Sequence, residues 1–378
     1  MQKTYKKHHS FEGFAGAGAL VEEQRVRAIA SLEEVSVAAN KPENHAEILQ
    51  RATRALGEPE SEFKITPFIA DEMALLTDAE LPEFLYHRYR YEVFPKTHEL
   101  DDYPPYLQIE PASICNYRCV FCYQANEDFS RKESEHMGVM SLDTYQSVVD
   151  QVEGRVQFIS LASRGEPLIC KDLPAMLEYS RGKFLNLKLN TNASLLNEKR
   201  CHDLLNGAIR TLVFSADAAE EPLYSQLRVR GSLDRVLRNI EMFQKIRERD
   251  YPEARILTRV SGVMVDESMQ DMDSMQKLWG GLVDQISFVA YNPWENIYKA
   301  EPSGVDAPCS DLWRRIFVWY DGKVNPCDTD YESTLKIGLT PQSSVSEIWC
   351  SKDYDELRKI HLEQRRMEKE PCRRCVVT

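Results

Sequence analysis

The chain has 378 residues, of which 43% are hydrophobic and 28% charged, and its formal net charge is −13 at pH 7. This composition indicates a globular protein with one large core and additions to it. The negative charge disfavours nucleic acid as a partner, because a phosphate backbone would be repelled. No apolar run approaches the roughly 20 residues that cross a bilayer, and no signal sequence is evident, so we expect a cytoplasmic protein with no membrane association.

Residues 1–105 are expected to form a helical N-terminal extension. Helix-like patterns of apolar residues occur at 31–40 (SLEEVSVAAN), 44–57 (NHAEILQRATRALG) and 69–89 (IADEMALLTDAELPEFLYHRY). Pro95, Pro104 and Pro105 should break any helix that reaches them. The main domain is therefore expected to begin near Tyr106.

Strand and helix patterns alternate in the second domain, residues 106–300. Short β-branched or alternating runs predict strands at 106–112, 156–162, 184–192, 209–217, 256–265 and 284–292. Helical patterns lie between them, at 141–152, 171–182, 197–206, 232–249 and 269–282. This alternation predicts an α/β fold with a parallel sheet curved into a partial (β/α)6 TIM-like barrel, whose chemistry would lie at the carboxyl ends of the strands.

The alternation ends near residue 300, and residues 301–378 are expected to form a small C-terminal module. IFVWYDGKVNPC predicts a hairpin that turns at Asp321 and Gly322. Residues 345–369 predict a helix that leads to the terminal PCRRC.

Three cysteines lie close together in ICNYRCVFCYQ, at Cys115, Cys119 and Cys122. Ten cysteines in a chain of this size are too few for a secreted disulfide scaffold, so such a cluster indicates metal ligands. A structural zinc site takes four protein ligands, whereas an iron–sulfur cluster held by three thiolates leaves one iron free. The alternatives are a zinc knuckle with a distant histidine, or three reduced thiols in a core.

The C-x3-C-x2-C spacing, with Phe121 before the last cysteine and a strand before the first, resembles the signature of the radical S-adenosylmethionine (SAM) superfamily. The resemblance implies that the three thiolates hold a [4Fe–4S] cluster whose open iron binds SAM. One electron would then cleave SAM to methionine and a 5'-deoxyadenosyl radical, which takes a hydrogen atom from the substrate.

The same resemblance implies a set of SAM-binding residues at later strand ends. Gly165, Glu166 and Pro167 match the family's GGEP element, with Arg164 in place of its first glycine, and Glu166 would accept the SAM ammonium. The other positions that match the family are Asn190, Asn192, Ser215, Asp217 and Arg228. Each of these motifs is also typical of an ordinary turn, strand exit or helix cap.

Two arginines depart from the family pattern. Arg164 and Arg230 stand where relatives often have glycine. They would bind substrate anions or pair with acidic residues at the surface.

Four later cysteines, Cys309, Cys327, Cys372 and Cys375, resemble the SPASM/Twitch class of auxiliary cluster domains. Because the sequence ends three residues after Cys375, we expect the shorter Twitch form, with one fully ligated auxiliary [4Fe–4S] cluster. A four-cysteine zinc ribbon is the alternative. Cys170 and Cys201 are expected to be small hydrophobic core residues, and Cys350 is unassigned.

Together these resemblances imply a radical SAM oxidoreductase with two [4Fe–4S] clusters and SAM, reduced by a donor such as flavodoxin or ferredoxin. By analogy with Twitch dehydrogenases of aminocyclitol biosynthesis, the substrate would be a small polar metabolite such as a sugar, nucleotide sugar or aminocyclitol, which is dehydrogenated or epimerised. Tyr291, Asn292 and Glu295 are candidate substrate contacts. The alternatives are a peptide-modifying radical SAM maturase and a non-catalytic iron–sulfur or zinc module.

Overall fold

The computed structural model of the chain describes residue 5, residues 11–33 and residues 44–378. The α-helices of these residues are α1 (Val21–Glu33), α2 (His45–Gly57), α3 (Pro67–Ala74), α4 (Leu81–Thr97), α5 (Glu127–Ser130), α6 (Leu142–Val152), α7 (Leu173–Tyr179), α8 (Glu198–Asn206), α9 (Glu221–Leu227), α10 (Leu233–Asp250), α11 (Met272–Trp279), α12 (Val345–Trp349) and α13 (Lys352–Leu362). The strands are β1 (Phe11–Ala15), β2 (Tyr106–Ile109), β3 (Arg118–Cys119), β4 (Phe158–Leu161), β5 (Asn186–Thr191), β6 (Ile209–Ser215), β7 (Arg228–Val229), β8 (Leu257–Met264), β9 (Gln285–Ala290), β10 (Arg315–Val318), β11 (Lys323–Asn325) and β12 (Gly338–Leu339).

One large sheet organises the chain, with the strand order β1-β9-β8-β6-β5-β4-β2-β10-β11-β12. All the strand pairs from β9 to β10 in this order are parallel. The six strands predicted for the second domain are β2, β4, β5, β6, β8 and β9. The predicted α/β fold with a parallel sheet is confirmed.

The two faces of the sheet differ in chemistry, as strand β5 illustrates. Leu187 and Leu189 are fully buried in the core between the sheet and the helices. Asn186, Lys188 and Asn190 alternate with them and line a cavity on the other face. Residues of β2, β8, β9 and β10 line the same cavity, so the sheet curves around it as a partial barrel.

The N-terminal extension covers the amino ends of the barrel strands. Helices α1–α4 share one hydrophobic core, and Phe158 at the start of β4 belongs to it. Strand β1, which was not predicted, pairs antiparallel with β9 and continues the sheet. Of the predicted helix at 31–40, residues 31–33 end α1, and residues 34–40 lie outside the described residues.

Helix α4 continues through Pro95 to Thr97, so the prediction that this proline breaks the helix was wrong. A proline has no N–H and leaves the carbonyl four residues earlier without its helical partner. That carbonyl belongs to Tyr91, and it accepts a hydrogen bond of 3.2 Å from Arg314 Nε. The buried arginine thus replaces the missing backbone donor.

The C-terminal module is joined to the barrel through its first strand. The predicted hairpin is present as β10 and β11, and β10 also pairs parallel with β2. The helix predicted at 345–369 is divided into α12 and α13, because the Ser351 side chain caps a new helix by accepting a hydrogen bond from Tyr354 N. None of the helices in the described ranges has the length and apolar character needed to cross a membrane.

Candidate active site

The three-cysteine loop follows β2 at the carboxyl end of the barrel. Strand β3 holds it by pairing with β7, so that Cys119 lies opposite Arg228. Cys119 packs with Tyr117 and Phe121 in a small apolar cluster that also contacts Cys115 and Cys122. Burial raises the pKa of all three thiols, that of Cys115 to about 12. Loss of these protons therefore needs a positive partner such as bound metal.

A buried glutamine connects this loop to the Gly165-Glu166-Pro167 turn. The Gln124 side-chain amide donates to the carbonyls of Ser113, at 2.6 Å, and Arg164, at 2.7 Å. Gly165 lies so close to the exit of β2 that an added Cβ would be 2.4 Å from the Ala112 carbonyl oxygen. Only glycine allows this approach, which places Glu166 next to the cysteine loop.

Glu166 is 2% exposed and its carboxylate is held at three points. Oε1 accepts hydrogen bonds from Thr191 Oγ1 (2.6 Å) and Leu168 N (3.1 Å), and Oε2 accepts one from Asn192 N (2.8 Å). Burial raises the pKa of Glu166. Each carboxylate oxygen has two lone pairs, so Oε2 can accept one more donor, such as an ammonium.

Asn192, Asn190 and Ser215 are three further predicted SAM contacts. The Asn192 side-chain amide donates to Asn116 Oδ1, at 2.9 Å, in the cysteine loop. Asn190 lines the barrel cavity, and its Oδ1 is buried without a hydrogen-bond partner among the described residues. Ser215 ends β6 and is half-buried.

Asp217 and Arg228, also predicted to contact SAM, form a buried ion pair with each other. Asp217 Oδ1 accepts a hydrogen bond of 2.7 Å from Val263 N. Arg228 Nη1 lies 3.8 Å from Cys119 Sγ. Arg228 is thus placed to stabilise a thiolate at Cys119, and contact with a SAM carboxylate would have to be made by the rest of its guanidinium.

The two arginines that depart from the family pattern have different surroundings. Arg164 is 3% exposed and pairs with buried Glu110, so the prediction that it serves substrate anions or surface acids was wrong. Arg230 is exposed, with φ at 73°, a left-handed conformation that favours glycine.

The barrel encloses a cavity of about 1020 Å³ that begins at the cysteine loop. Phe121, Tyr291 and Asn292 line it at that end, so two of the three predicted substrate contacts face it. Glu295, the third, accepts a hydrogen bond from the Tyr291 hydroxyl and is not part of the wall. A molecule bound in this cavity would lie beside the cysteine loop.

Sequence reasoning missed the charged side chains inside this cavity. Lys188 on β5 and Arg259 on β8 line its wall, and Glu72 and Arg88 reach it from the N-terminal helices. The signal was the alternation in NLKLN and in RVS, where polar residues are separated by single apolar ones although the strands are central. Such a pattern indicates a polar barrel interior rather than a strand buried on both faces.

The four C-terminal cysteines surround one small, mainly apolar cavity. Its wall is completed by side chains that include Leu312, Leu357 and Val377. Burial raises the pKa of each of Cys309, Cys327 and Cys372, that of Cys309 to about 11. His361 contributes no positive charge here, because burial and the nearby Arg366 lower its pKa to about 3.

Both cysteine groups fit iron–sulfur clusters. All ten cysteines carry free thiols, and the seven predicted ligands fall into one group of three and one of four. No three His, Cys, Asp or Glu side chains of the described ranges meet closely enough to hold a single metal ion. A four-iron cluster places its thiolates further apart than one ion does, because each thiolate binds a different iron.

The other three cysteines have no such surroundings in the described structure. Cys170 and Cys201 lie in the main hydrophobic core, as small hydrophobic residues would. Cys350 is exposed, with its thiol 3.8 Å from the Asp102 carbonyl oxygen.

Two protein-family models match the chain. The model of the radical SAM superfamily matches residues 109–277. The model of SPASM, an iron–sulfur cluster-binding domain, matches residues 309–376. The first match includes the group of three cysteines, and the second includes the group of four.

Relatives with curated activities are distant. An S-adenosyl-L-methionine-dependent 2-deoxy-scyllo-inosamine dehydrogenase of Niallia circulans is 22% identical over 71% of this chain and 91% of its own. A probable GTP 3',8-cyclase of Methanococcus maripaludis is 26% identical over 50% of this chain and 59% of its own. An AdoMet-dependent heme synthase of Methanosarcina barkeri is 25% identical over 57% of this chain and 58% of its own. The chain thus spans less than two thirds of the cyclase and of the synthase.

Two solved structures share the fold. Native anSMEcpe with bound AdoMet has a TM-score of 0.52 at 16% identity, over 72% of this chain and 88% of its own. Streptococcus suis SuiB bound to precursor peptide SuiA has a TM-score of 0.53 at 14% identity, over 82% of this chain and 78% of its own. At these identities the likeness extends to the fold alone.

Proposed function

Since this chain contains a radical SAM domain and a SPASM iron–sulfur cluster-binding domain, we propose that it is a radical SAM oxidoreductase that takes a hydrogen atom from a small polar metabolite. The observation that carries the proposal is the cavity of about 1020 Å³ inside the barrel, which begins at the cysteine loop and has polar side chains on its walls. A sugar, nucleotide sugar or aminocyclitol fits such a space. The reaction would be dehydrogenation or epimerisation.

The division of labour among the cofactors follows from the two cysteine groups. When bound, SAM and the [4Fe–4S] cluster at the three cysteines supply a 5'-deoxyadenosyl radical, and a cluster at the four cysteines supplies an electron acceptor. We propose the Twitch form, with one auxiliary cluster, and an external reductant such as flavodoxin or ferredoxin. We also propose the domains 1–105, 106–300 and 301–378, and the two matched family models lie within the second and third.

Residues beside the cysteine loop have roles that follow from their positions. Glu166 would accept the SAM ammonium, and Asn192 holds Glu166 and the cysteine loop together. Trp294 Nε1 donates to the Phe121 carbonyl at 2.8 Å, so that this aromatic pair closes the cysteine end of the cavity. Excluding water there would protect a radical from side reactions.

Isotope transfer tests the substrate class. The reconstituted, reduced protein is incubated with SAM and a perdeuterated bacterial extract that ultrafiltration has divided into small molecules and peptides. We expect deuterium in 5'-deoxyadenosine when the small-molecule fraction is added, since hydrogen abstraction moves a deuterium from the substrate to the 5' carbon of the 5'-deoxyadenosyl radical. Deuterium that appears only with the peptide fraction would overturn the proposal and favour a peptide-modifying maturase.

A further inference from the structure

We propose that Lys188 and Arg259 form an anion site deep in the barrel cavity, which binds a carboxylate or phosphate group of the substrate. This inference rests on the proposed function, because it adds a charged group to the small polar metabolite. Both side chains line the cavity, and both precede a polar residue, Asn190 or Ser261, that lies nearer the carboxyl end of its strand. Two residues of strand span about 7 Å, so the cations lie below the SAM end of the cavity.

Lys188 is a cation without an anionic partner in the described structure. Its ammonium has no hydrogen bond or ion pair with any residue in the described ranges, and it lies 5.7 Å from the centre of the Tyr106 ring. Burial and the positive charge of Arg259 lower the pKa of Lys188 to about 8. Burying an unpaired charge inside a protein raises the free energy of the folded state, and a bound ligand anion would offset this increase.

Arg259 is 6% exposed and has spare donors. Nε donates to Gln285 Oε1 at 2.8 Å, but Nη2 is buried with no hydrogen-bond partner in the described structure. The guanidinium is stacked 4.4 Å from the centre of the Phe68 ring, which fixes its plane. A fixed guanidinium with a free edge suits an oxyanion, which accepts two parallel hydrogen bonds.

Neighbouring charges leave a positive excess at these two residues. Arg88 is paired with Glu92 at 2.6 Å, and Arg315 is paired with Asp311 at 3.1 Å. Glu72 is a carboxylate that faces Lys188 and Arg259, but no ion pair of 4.0 Å or less joins it to them in the described structure, and burial raises its pKa.

The position of the site gives the N-terminal extension a function. Glu72 and Arg88 lie on α3 and α4, whose core includes Phe158 at the amino end of β4. These helices line the end of the cavity at which the two cations lie. A substrate whose anionic group binds there would direct its other end toward Phe121 and the cysteine loop.

Calorimetric titration of the anaerobically reconstituted protein tests the inference. Inorganic phosphate and acetate are titrated separately, with saturating SAM so that the SAM site is filled. We expect at least one of them to bind, and Lys188→Met and Arg259→Gln each to raise its dissociation constant on the order of tenfold. Lys199→Met is the matched control, because Lys199 is 78% exposed and pairs with Asp203 on the outside of α8.

Each outcome decides the matter. Binding of phosphate alone assigns a phosphorylated substrate, and binding of acetate alone assigns a carboxylate; binding of both, weakened by both variants, supports the shared oxyanion chemistry. No binding, or equal binding by wild type and variants that keep their iron and circular dichroism, overturns the anion site. The titration needs no radical chemistry, so a negative result would overturn the anion site without bearing on the proposed hydrogen abstraction, which the deuterium experiment tests.

Discussion

Arg164 and Glu110 form a bidentate ion pair inside the protein, with Nε 2.8 Å from Oε1 and Nη2 2.6 Å from Oε2. The same guanidinium donates to the Tyr331 carbonyl at 2.9 Å and lies 4.4 Å from the Trp319 ring. One side chain therefore connects the loop that carries Glu166 to the C-terminal module. A glycine at this position would make none of these contacts.

Substituting Arg164 by methionine should lower the free energy of unfolding by about 3–5 kcal/mol, because it leaves Glu110 as an uncompensated buried charge. The side chains of Arg164 and Glu110 are 2% and 0% exposed, so solvent cannot screen the loss. Denaturant unfolding under anaerobic conditions, followed by tryptophan fluorescence, measures the change. Arg181→Met is the control, since its pair with Glu178 is at the surface and should contribute little. If the two substitutions lowered the free energy of unfolding equally, the buried pair would not stabilise the fold more than a surface pair does.

Glu166→Gln should weaken SAM binding on the order of tenfold or more while iron content stays constant, because the variant removes the negative charge that we assign to the SAM ammonium. Equilibrium dialysis with labelled SAM measures it. Thr191→Val is the matched variant: it removes one hydrogen bond to Glu166 but leaves the charge, so its loss should be smaller. SAM binding that is unaltered in Glu166→Gln would remove this residue from the site.

Cys327→Ala should lose about half of the iron, since only the cluster at the four C-terminal cysteines depends on it. SAM cleavage should be retained better than product formation if the auxiliary cluster carries electrons. Iron analysis and chromatography of 5'-deoxyadenosine measure both. Cys350→Ala, at an exposed thiol outside both groups, should keep all its iron. Equal loss of cleavage and product formation in Cys327→Ala, with the other cluster assembled, would contradict this division of labour.

Sulfate binding at the anion site should weaken as the pH rises from about 7 to about 9. The pKa of Lys188 is lowered to about 8, so its positive charge is present below that pH and lost above it, whereas sulfate keeps its charge throughout. The ionisable groups that face Lys188 are those of Arg259, Tyr91, Arg315, Glu72 and Tyr106. Lys188→Arg should remove the pH dependence, because an arginine there stays charged. The same decline in wild type and Lys188→Arg would assign the titration to another group.

The sequence was most informative where strand pattern and motif coincide. The six barrel strands follow from short β-branched runs, and Glu166 was proposed as a SAM contact because the Gly-Glu-Pro turn after one of them resembles the family's GGEP element. These features are local, so a single sequence contains them. The four C-terminal cysteines were grouped by resemblance, and the structure places them around one cavity, although Cys309 and Cys327 are far from Cys372 and Cys375 in the sequence.

Features that depend on tertiary contacts were not predictable in this way. Pro95 remains helical because Arg314, far later in the sequence, donates to the carbonyl that the proline leaves free. Arg164 looked like a surface or substrate-binding cation until the fold placed Glu110 beside it. The sequence shows that Lys188 is charged. Only the folded barrel shows that no anionic side chain of the described structure pairs with it.

Electron paramagnetic resonance of the reduced, oxygen-free Cys327→Ala protein, in which the cluster at Cys115, Cys119 and Cys122 gives the signal, shows whether SAM binds that cluster. We expect added SAM to change the g-values of this signal, because SAM would bind the iron that has no cysteine ligand. A spectrum that saturating SAM leaves unchanged would contradict it.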